Sequence, residues 1–388
     1  MKKIAIYMYM FAVKITGSLA RIFPVQQKVV FLVSFEENPT AIIRQMELAK
    51  VKPKTVVFYD PRVNVTNMSL DFIQLKPKNL AQFIPLMFHM NTAKVIVTDN
   101  YFVELAGLKV RSGVSCIQIW HANGALKKFG WEDKAAQKRT DTDKKRFLEV
   151  YKRFTNVLVG SDAMAAIFKK SFLMSESQIL KLGIPRTDYF FNEQKLKENY
   201  EWTYTKLNLT DKKIILYAPT FRDDELQSTK LHLNITELKA ALSNDYQLIL
   251  KLHPSISQDL EKIEDDFVVY ADKEMPIETI LPTVDILITD YSSIPFEFAL
   301  LHKPIIFFTY DLNEYDKARG LSDGFLETIP GPHAFTSTEL IELIKQETFD
   351  IERIRSFAAE WNKYSDGFSS ERFVLFLKEQ LENKTANK

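Results

Sequence analysis

The sequence predicts an α/β protein of two Rossmann-like domains, and three observations favour this fold class. Short apolar runs recur along the 388 residues, five in each half of the chain. Each run ends in polar or turn-forming residues and is followed by a stretch with helical spacing. Continuous runs of Val, Ile and Leu that alternate with helices are typical of a parallel sheet covered on both faces, and the length allows two such sheets.

The predicted strands fall into two sets. The first set is VVFLVSF (29–35), TVVFYD (55–60), KVIVTD (94–99), CIQIWH (116–121) and NVLVGSD (156–162). The second set is KIILYAPT (213–220), YQLILKLHP (246–254), FVVYAD (267–272), DILITDYSS (285–293) and KPIIFFTYD (303–311). A polar, helix-prone stretch over residues 192–213 separates them, so we expect domains at 25–200 and 201–388. We expect their sheets to face a cleft, with C-terminal helices that are able to cross back to the first domain.

The first 24 residues are unusually apolar. The run IAIYMYMFAV (4–13) has lysines before and after it and is shorter than the ~20 apolar residues that cross a bilayer. An amphipathic helix over residues 1–24 that lies in the membrane interface fits this composition. Two alternatives are a helix docked on the protein's own core and a signal peptide cleaved in residues 17–20.

The charge and cysteine content narrow the function classes. Lys+Arg 51 against Asp+Glu 50 gives a net charge of +1, so we expect no nucleic-acid partner. The single cysteine, Cys116, excludes an intramolecular disulfide and a multi-cysteine metal site, and it suits a reducing compartment. A local excess of positive charge remains, because residues 127–153 contain ten basic and five acidic side chains. A solvated helix face explains part of this excess, and a patch facing a membrane or a pyrophosphate explains the rest.

Ligands of open parallel sheets bind at the carboxyl ends of the strands. These ends carry residues suited to anion binding, namely His121, Ser161, Thr220, His253 and the cluster 290–293, with Arg186 and Arg222 close behind. A histidine titrates near neutral pH, so His121 is a candidate general base for an attacking hydroxyl. Asn123 and Gly124 suit a tight loop beside it. His253, fixed by Pro254, is either a second site histidine or a hydrogen-bonded structural residue.

A second candidate site follows the predicted strand 286–289. Ser292 and Ser293 precede Ile294 and Pro295 at a helix start, where backbone N–H groups and hydroxyls can hold a phosphate. Glu297, one turn on, can reach ribose or other hydroxyls. The alternative is that Ser292 is only an N-cap and Glu297 a surface acid. HExxH, Walker and GxGxxG motifs are absent from the sequence, which argues against zinc hydrolysis, P-loop nucleotide hydrolysis and NAD chemistry.

Six motifs occur in a fixed order over most of residues 90–335. They are WHANGALKKFG (120–130), LGIPRTD (182–188), YAPTFRDD (217–224), LKLHP (250–254), TDYSSIPFEFALLHKPIIFF (289–308) and YDLNEYDKARG (310–320). In this set the chain resembles the CDP-glycerol glycerophosphotransferases of wall teichoic acid synthesis in Gram-positive bacteria. The resemblance implies a GT-B-like fold attached peripherally to the cytoplasmic face of the cell membrane. It also implies transfer of glycerol phosphate from CDP-glycerol to a hydroxyl of a lipid-linked acceptor.

The resemblance implies roles for individual residues. His121 would be the base, and His253 would contact the phosphates of the donor. The remaining substrate contacts would be Asn123, Gly124, Ala125, Arg186, Pro219, Thr220, Lys251, Leu252, Ser292, Ser293 and Glu297. No metal ligand and no cofactor is firmly predicted, and a role for a divalent cation stays open.

The WHANGALK segment is similar to the primase branch of the family, because polymerising members commonly read WHGTPLK. That branch adds the first glycerol phosphate to N-acetylmannosaminyl-N-acetylglucosaminyl-diphospho-undecaprenol and releases CMP. The implied partners are CDP-glycerol, this lipid-linked disaccharide, an anionic membrane surface and other teichoic acid enzymes. Three alternatives stay open: a second-step or polymerising transferase on a primed acceptor, a noncatalytic membrane-associated nucleotide-binding protein, and a transferase that uses a UDP-sugar.

Overall fold

The chain divides into two compact units. The computed structural model describes residues 2–60, 63, 71–74, 80–220, 231–252, 265–272 and 274–383. Unit 1 comprises Met1–Asn123, Phe129–Asp188 and Asn362–Lys388. Unit 2 comprises Gly124–Lys128 and Tyr189–Trp361. Each unit is built on one parallel sheet, so the predicted mixed α/β class with two parallel sheets is confirmed.

Every predicted apolar run overlaps a strand. The described strands are β1 (Gln26–Val33), β2 (Lys54–Tyr59), β3 (Asp71–Gln74), β4 (Ala93–Thr98), β5 (Ser115–Gln118), β6 (Asn156–Leu158), β7 (Ile179–Leu180), β8 (Lys213–Tyr217), β9 (Tyr246–Leu250), β10 (Val268–Tyr270), β11 (Ile286–Thr289), β12 (Ile305–Phe308) and β13 (His333–Ala334). Three short edge strands, β3, β7 and β13, have no counterpart among the predicted runs.

Helices connect the strands. The described α-helices are α1 (Lys2–Ala20), α2 (Glu37–Leu48), α3 (Leu80–Thr92), α4 (Lys134–Gln137), α5 (Asp141–Tyr151), α6 (Asp162–Phe172), α7 (Glu193–Lys206), α8 (Ile235–Leu242), α9 (Ile277–Ile280), α10 (Ile294–Phe298), α11 (Leu312–Ala318), α12 (Phe325–Thr328), α13 (Ser337–Gln346), α14 (Ile351–Trp361) and α15 (Ser369–Glu382).

The sheet of unit 1 has the described strand order β3-β2-β1-β4-β5-β6-β7. The central strands β1 and β4 pair in parallel, with Val29 opposite Val95. All six residues of β4 are buried, as expected for a strand covered on both faces. The strand order reverses between β1 and β4, and in open α/β sheets ligands bind beyond the strand ends at such a reversal.

The sheet of unit 2 repeats this arrangement. Its described order is β10-β9-β8-β11-β12-β13, so the reversal lies between β8 and β11. Its core includes Leu248, Ile288 and Ile306 from the strands and Leu238 from α8, and each of these side chains is inaccessible to solvent. The carboxyl ends of β8 and β11 therefore lie side by side at the position where this fold binds ligands.

The last helix belongs to unit 1 rather than to the unit that precedes it in sequence. Lys94 in β4 donates through Nζ to the carbonyl oxygen of Asn383, at 2.7 Å. Ser115 in β5 donates to Oε1 of Gln380 in α15, at 2.8 Å. Gly183, with φ of 83°, lies so close to the segment before α15 that a Cβ on it would be 2.3 Å from the carbonyl oxygen of Tyr364. The chain therefore returns to unit 1 after α14.

Helix α1 packs on unit 1 along one side only. Met10, Val13 and Ala20 are buried, and Gly17 approaches Gly107 so closely that a Cβ would lie 2.2 Å from its carbonyl oxygen. Other apolar side chains of this terminal segment are at least 40% exposed, namely Ile4, Ile6, Tyr7, Met8, Phe11, Ile15, Leu19, Ile22 and Phe23. In the described part of the chain, every helix is too short or too polar to cross a bilayer.

Candidate active site

His121 follows β5 in unit 1, and two contacts fix its ring. Its Nδ1 atom lies 3.1 Å from the backbone carbonyl oxygen of Asp99. Because a carbonyl oxygen only accepts hydrogen bonds, Nδ1 carries the hydrogen and Nε2 carries the lone pair. The ring stacks on Phe35, with centroids 4.2 Å apart. This tautomer gives His121 the basic nitrogen that a general base requires.

Trp120, directly before His121, holds a strained backbone with φ of 54°. Such a conformation costs a bulky residue about 1–3 kcal/mol, so the surroundings must enforce it. The backbone N–H of Trp120 donates to Oε1 of Gln118 at 2.9 Å, and the Trp120 indole stacks on the Phe129 ring with centroids 4.7 Å apart. The chain turns here, and the turn brings His121 against the end of β4.

Asp99 joins the ends of the two central strands of unit 1. Its side chain is inaccessible to solvent, and its Oδ2 atom accepts hydrogen bonds from the backbone N–H groups of Ser34 and Phe35, at 2.8 and 2.7 Å. Burial raises the pKa of this carboxyl to about 8, although the backbone hydrogen bonds act in the opposite direction. The same residue therefore fixes Phe35 through its carboxyl and His121 through its carbonyl.

Arg186 lies beside His121, as the sequence predicts for one site. Its Nη1 atom donates to the carbonyl oxygen of His121 at 3.2 Å and lies 3.5 Å from the Glu37 carboxylate. Asn38, at the start of α2, is almost completely buried. It donates through Nδ2 to the carbonyl oxygen of Trp120 and accepts the backbone N–H of Arg186, both at 3.0 Å. Asn38 therefore holds the turn before His121 and the segment that carries Arg186.

The loop after His121 passes from unit 1 to unit 2. The Asn123 side chain is inaccessible to solvent and donates to Oδ1 of Asn362 at 2.6 Å. A Cβ on Gly124 would lie 2.7 Å from the Phe296 ring, so only glycine fits there without displacing the ring. Ala125 is 8% exposed. Packing within each unit accounts for these three residues, and their predicted contact with substrate stays a prediction.

The strand ends of unit 2 repeat the arrangement of Asp99. Asp290 follows β11, is 1% exposed, and accepts through Oδ1 the backbone N–H of Thr220, at 2.7 Å. Thr220 and Pro219 follow β8 and are partly exposed. In both units, a buried aspartate side chain thus ties together the two strand ends at the reversal of strand order. The predicted residues Pro219 and Thr220 lie at this position in unit 2.

Ser292 and Ser293 are partly exposed directly after β11. The hydroxyl oxygen of Ser292 lies 2.8 Å from that of Thr289 and accepts the backbone N–H of Ile294 at 3.4 Å. Ser293 is the N-cap residue of α10, and its side chain forms no capping hydrogen bond. Glu297 is 2% exposed, which excludes the alternative that it is a surface acid.

Lys251 follows β9, the neighbour of β8. Its Nζ atom donates to the carbonyl oxygen of Asp272 at 2.5 Å, and burial lowers the pKa of its ammonium group. Leu252 is buried beside it. His253 and Arg222 lie outside the described residues, so the predicted role of His253 stays a prediction.

Ser161 has a structural role. Its fully buried hydroxyl accepts the backbone N–H of Met164 at 3.0 Å and caps α6. Within the described ranges, no group of three His, Cys, Asp or Glu side chains is arranged to hold a metal ion.

Three residues around His121 are not among those that the sequence predicts, namely Phe35, Asn38 and Asp99. Phe35 and Asp99 are the last residues of the runs VVFLVSF and KVIVTD. Applying the strand-end rule to these two runs would have found them. Asn38 gives no comparable signal, because only the fold brings the start of α2 against the turn at Trp120.

Comparisons with known proteins agree with this architecture. The family model of CDP-Glycerol:Poly(glycerophosphate) glycerophosphotransferase matches residues 15–379. This chain belongs to that glycerophosphotransferase family. The resemblance inferred from the six motifs is thereby confirmed.

Proteins similar to this glycerophosphotransferase include the glycerol-phosphate primases of two Bacillus species. It is 43% identical to the teichoic acid glycerol-phosphate primase of Bacillus subtilis (strain 168), over 91% of this chain and 92% of the relative. It is 35% identical to the teichoic acid glycerol-phosphate primase of Bacillus spizizenii (strain W23), over 97% of this chain and 98% of the relative. The fold is similar to that of the wall teichoic acid polymerase TagF, with a TM-score of 0.80 at 24% identity, over 96% of this chain and 94% of that chain.

Proposed function

We propose that this protein is a primase of wall teichoic acid synthesis. It transfers glycerol phosphate from CDP-glycerol to N-acetylmannosaminyl-N-acetylglucosaminyl-diphospho-undecaprenol and releases CMP. The observation that carries the proposal is the 43% identity to a glycerol-phosphate primase along nine-tenths of both chains. The fixed ring of His121 supports the proposal, because this transfer needs a general base.

The reaction is an in-line displacement at the β-phosphorus of CDP-glycerol. The acceptor hydroxyl oxygen forms the new P–O bond, the bond to the CMP oxygen breaks, and the hydroxyl proton passes to Nε2 of His121. Hydrogen bonds to the phosphoryl oxygens stabilise the charge that develops there. We assign these hydrogen bonds to Arg186, His253 and the Ser292-Ser293 segment, and the remaining donor contacts to Pro219, Thr220, Lys251, Leu252 and Glu297.

The test is the mass of the product. Purified protein is incubated with CDP-glycerol and either the unprimed lipid-linked disaccharide or the same acceptor with one glycerol phosphate already attached. A primase adds one glycerol phosphate to the unprimed acceptor and releases one CMP. A ladder on the primed acceptor would instead identify a polymerase, and CDP-glycerol binding without CMP release would identify a noncatalytic protein.

We further propose that the protein acts at the cytoplasmic face of the cell membrane, as a peripheral protein held by α1. The exposed apolar face of α1, with Lys2, Lys3 and Lys14 on the same helix, has the composition of an interfacial helix. Phe11→Glu should therefore reduce flotation with phosphatidylglycerol vesicles. Leu48→Glu changes an equally exposed side chain on α2, at 71% against 67% for Phe11, and should not. Equal flotation of the two variants would contradict this attachment.

A further inference from the structure

A cavity in unit 1, here called the α1–α5 cavity, lies apart from the residues around His121. Its volume is about 400 Å³, which is within the range of small-ligand sites. Much of its lining is apolar or aromatic and comes from α1, α5 and the segment after β4, namely Ala5, Ile6, Tyr9, Met10, Val103 and Phe147. Tyr101, Arg139 and Arg146 complete the lining. A cavity of this kind suits a flexible hydrocarbon chain.

Two arginines line this cavity, Arg139 and Arg146. Arg139 lies over the Phe147 ring, with Cζ 5.4 Å from the ring centroid, and Arg146 pairs with Asp143 one turn before it. Burial raises the pKa of the Tyr101 hydroxyl to about 12, while the charges of Arg146 and Arg139 act in the opposite direction. Both arginines line the same cavity as Tyr101. An apolar cavity lined by two arginines fits an amphiphile whose anionic end carries several phosphate oxygens.

The cavity is connected to the candidate base through the end of β4. Tyr101 lines the cavity and follows Asp99 by two residues, a separation of at most about 7 Å along the backbone. Asp99 is the residue whose carbonyl oxygen holds Nδ1 of His121. The cavity therefore lies in the same region of unit 1 as His121.

We propose that the α1–α5 cavity binds the polyprenyl chain of the lipid-linked acceptor at its diphosphate end, with Arg139 and Arg146 beside the diphosphate. This assignment rests on the proposed function. Ala5 and Ile6 line the cavity and are also exposed on α1, so the remainder of the chain can continue into the membrane along that helix. Two arginines in the lining favour a diphosphate over the single phosphate of an ordinary phospholipid.

The test fills the cavity without disturbing the core. Ala5→Trp places a large ring in the cavity, and Met8→Trp places the same ring on the exposed surface of the same helix. Undecaprenyl diphosphate binding is measured in detergent micelles by titration calorimetry, without donor and without turnover. Ala5→Trp should weaken binding about tenfold, because it excludes about two methylene groups from apolar contact, and Met8→Trp should leave it unchanged.

Turnover then separates this proposal from the primase assignment. The wild-type, Ala5→Trp and Arg139→Gln proteins are assayed with the polyprenyl acceptor and with a disaccharide diphosphate that carries a methyl group in place of the chain. Ala5→Trp should raise the KM for the polyprenyl acceptor only, and Arg139→Gln should raise the KM for both acceptors. Unchanged binding of undecaprenyl diphosphate by Ala5→Trp would overturn the cavity assignment. Phosphatidylglycerol that competes with undecaprenyl diphosphate for the wild-type protein at equal concentration would overturn it as well. Absence of CMP release by wild-type protein would overturn the primase assignment, and the binding result would still decide the cavity.

Discussion

Asp99 and His121 are joined by a hydrogen bond between the Asp99 carbonyl oxygen and Nδ1 of His121, at 3.1 Å. The carboxyl of the same Asp99 holds the backbone of Phe35, whose ring stacks on the imidazole. One residue thus determines both the tautomer and the orientation of the candidate base. The proposed mechanism assigns the base to Nε2 of His121, and the residues around this ring can be tested one by one.

His121→Ala should lower kcat for CMP release by about 10²–10⁴-fold, because this is the usual contribution of a general base. The KM for CDP-glycerol should change little, since the assigned donor contacts come mainly from unit 2. His333→Ala removes an exposed histidine at β13 and serves as the control with normal turnover. Normal turnover by a folded His121→Ala protein would remove this residue from the mechanism.

Asn38→Ala should lower kcat and raise the KM for CDP-glycerol, because it releases the turn at Trp120 and the segment of Arg186, an assigned donor contact. It should also destabilise the protein by about 1–3 kcal/mol, since it leaves buried backbone groups without a partner. Asn91→Ala is the matched control, because Asn91 is equally buried in unit 1 and donates only to Met87. If both variants lose activity in proportion to stability, Asn38 has a structural role alone.

Asp99 should make the stability of the protein depend on pH. Its pKa rises from 3.8 in the unfolded chain to about 8 in the folded protein, so the folded state binds the proton more tightly. The free energy of unfolding should therefore fall as pH rises from about 4 to about 8, by at most roughly 1.4 kcal/mol per pH unit. The Asp99→Asn variant should lack this pH dependence when its unfolding is measured by chemical denaturation. If the free energy of unfolding varies with pH in the same way in both proteins, the pKa of Asp99 is not raised in the folded state.

Lys251→Met should raise the KM for CDP-glycerol about tenfold with little change in kcat, because a hydrogen bond from an ammonium group to a phosphate oxygen is lost. Lys239→Met removes a half-exposed lysine of the same unit, one that pairs with Asp265 instead, and should retain the normal KM. Steady-state kinetics with varied donor distinguish the two. A normal KM for Lys251→Met would exclude it from the donor contacts.

Gly17→Ala should weaken the docking of α1, because the new methyl group would lie 2.2 Å from the carbonyl oxygen of Gly107. Ser18→Ala introduces the same residue at the next, exposed position and should not. Hydrogen exchange of α1 amides in detergent-free buffer measures the difference. Equal protection in both variants would show that α1 tolerates a wider separation from Gly107.

The apolar runs predict most of the fold, since a strand buried on both faces must be continuously apolar and the sequence displays this directly. The edge strands β3, β7 and β13 escape the prediction because none of them contains more than two consecutive apolar residues. His121 and Arg186 were found by strand position and motif, and the structure brings them together. Asn38 was not found, because its hydrogen bonds join three segments that are distant in sequence.

The sequence by itself determined the two parallel sheets and the family, and it predicted the strand ends that hold the candidate site, because periodicity and motifs are local properties of the chain. Only the tertiary structure decided that residues 124–128 belong to unit 2 and that α15 returns to unit 1. It also decided which nitrogen of His121 is basic, since this depends on a carbonyl oxygen 22 residues away. Such contacts arise from packing between distant segments, and no local pattern of residues encodes them.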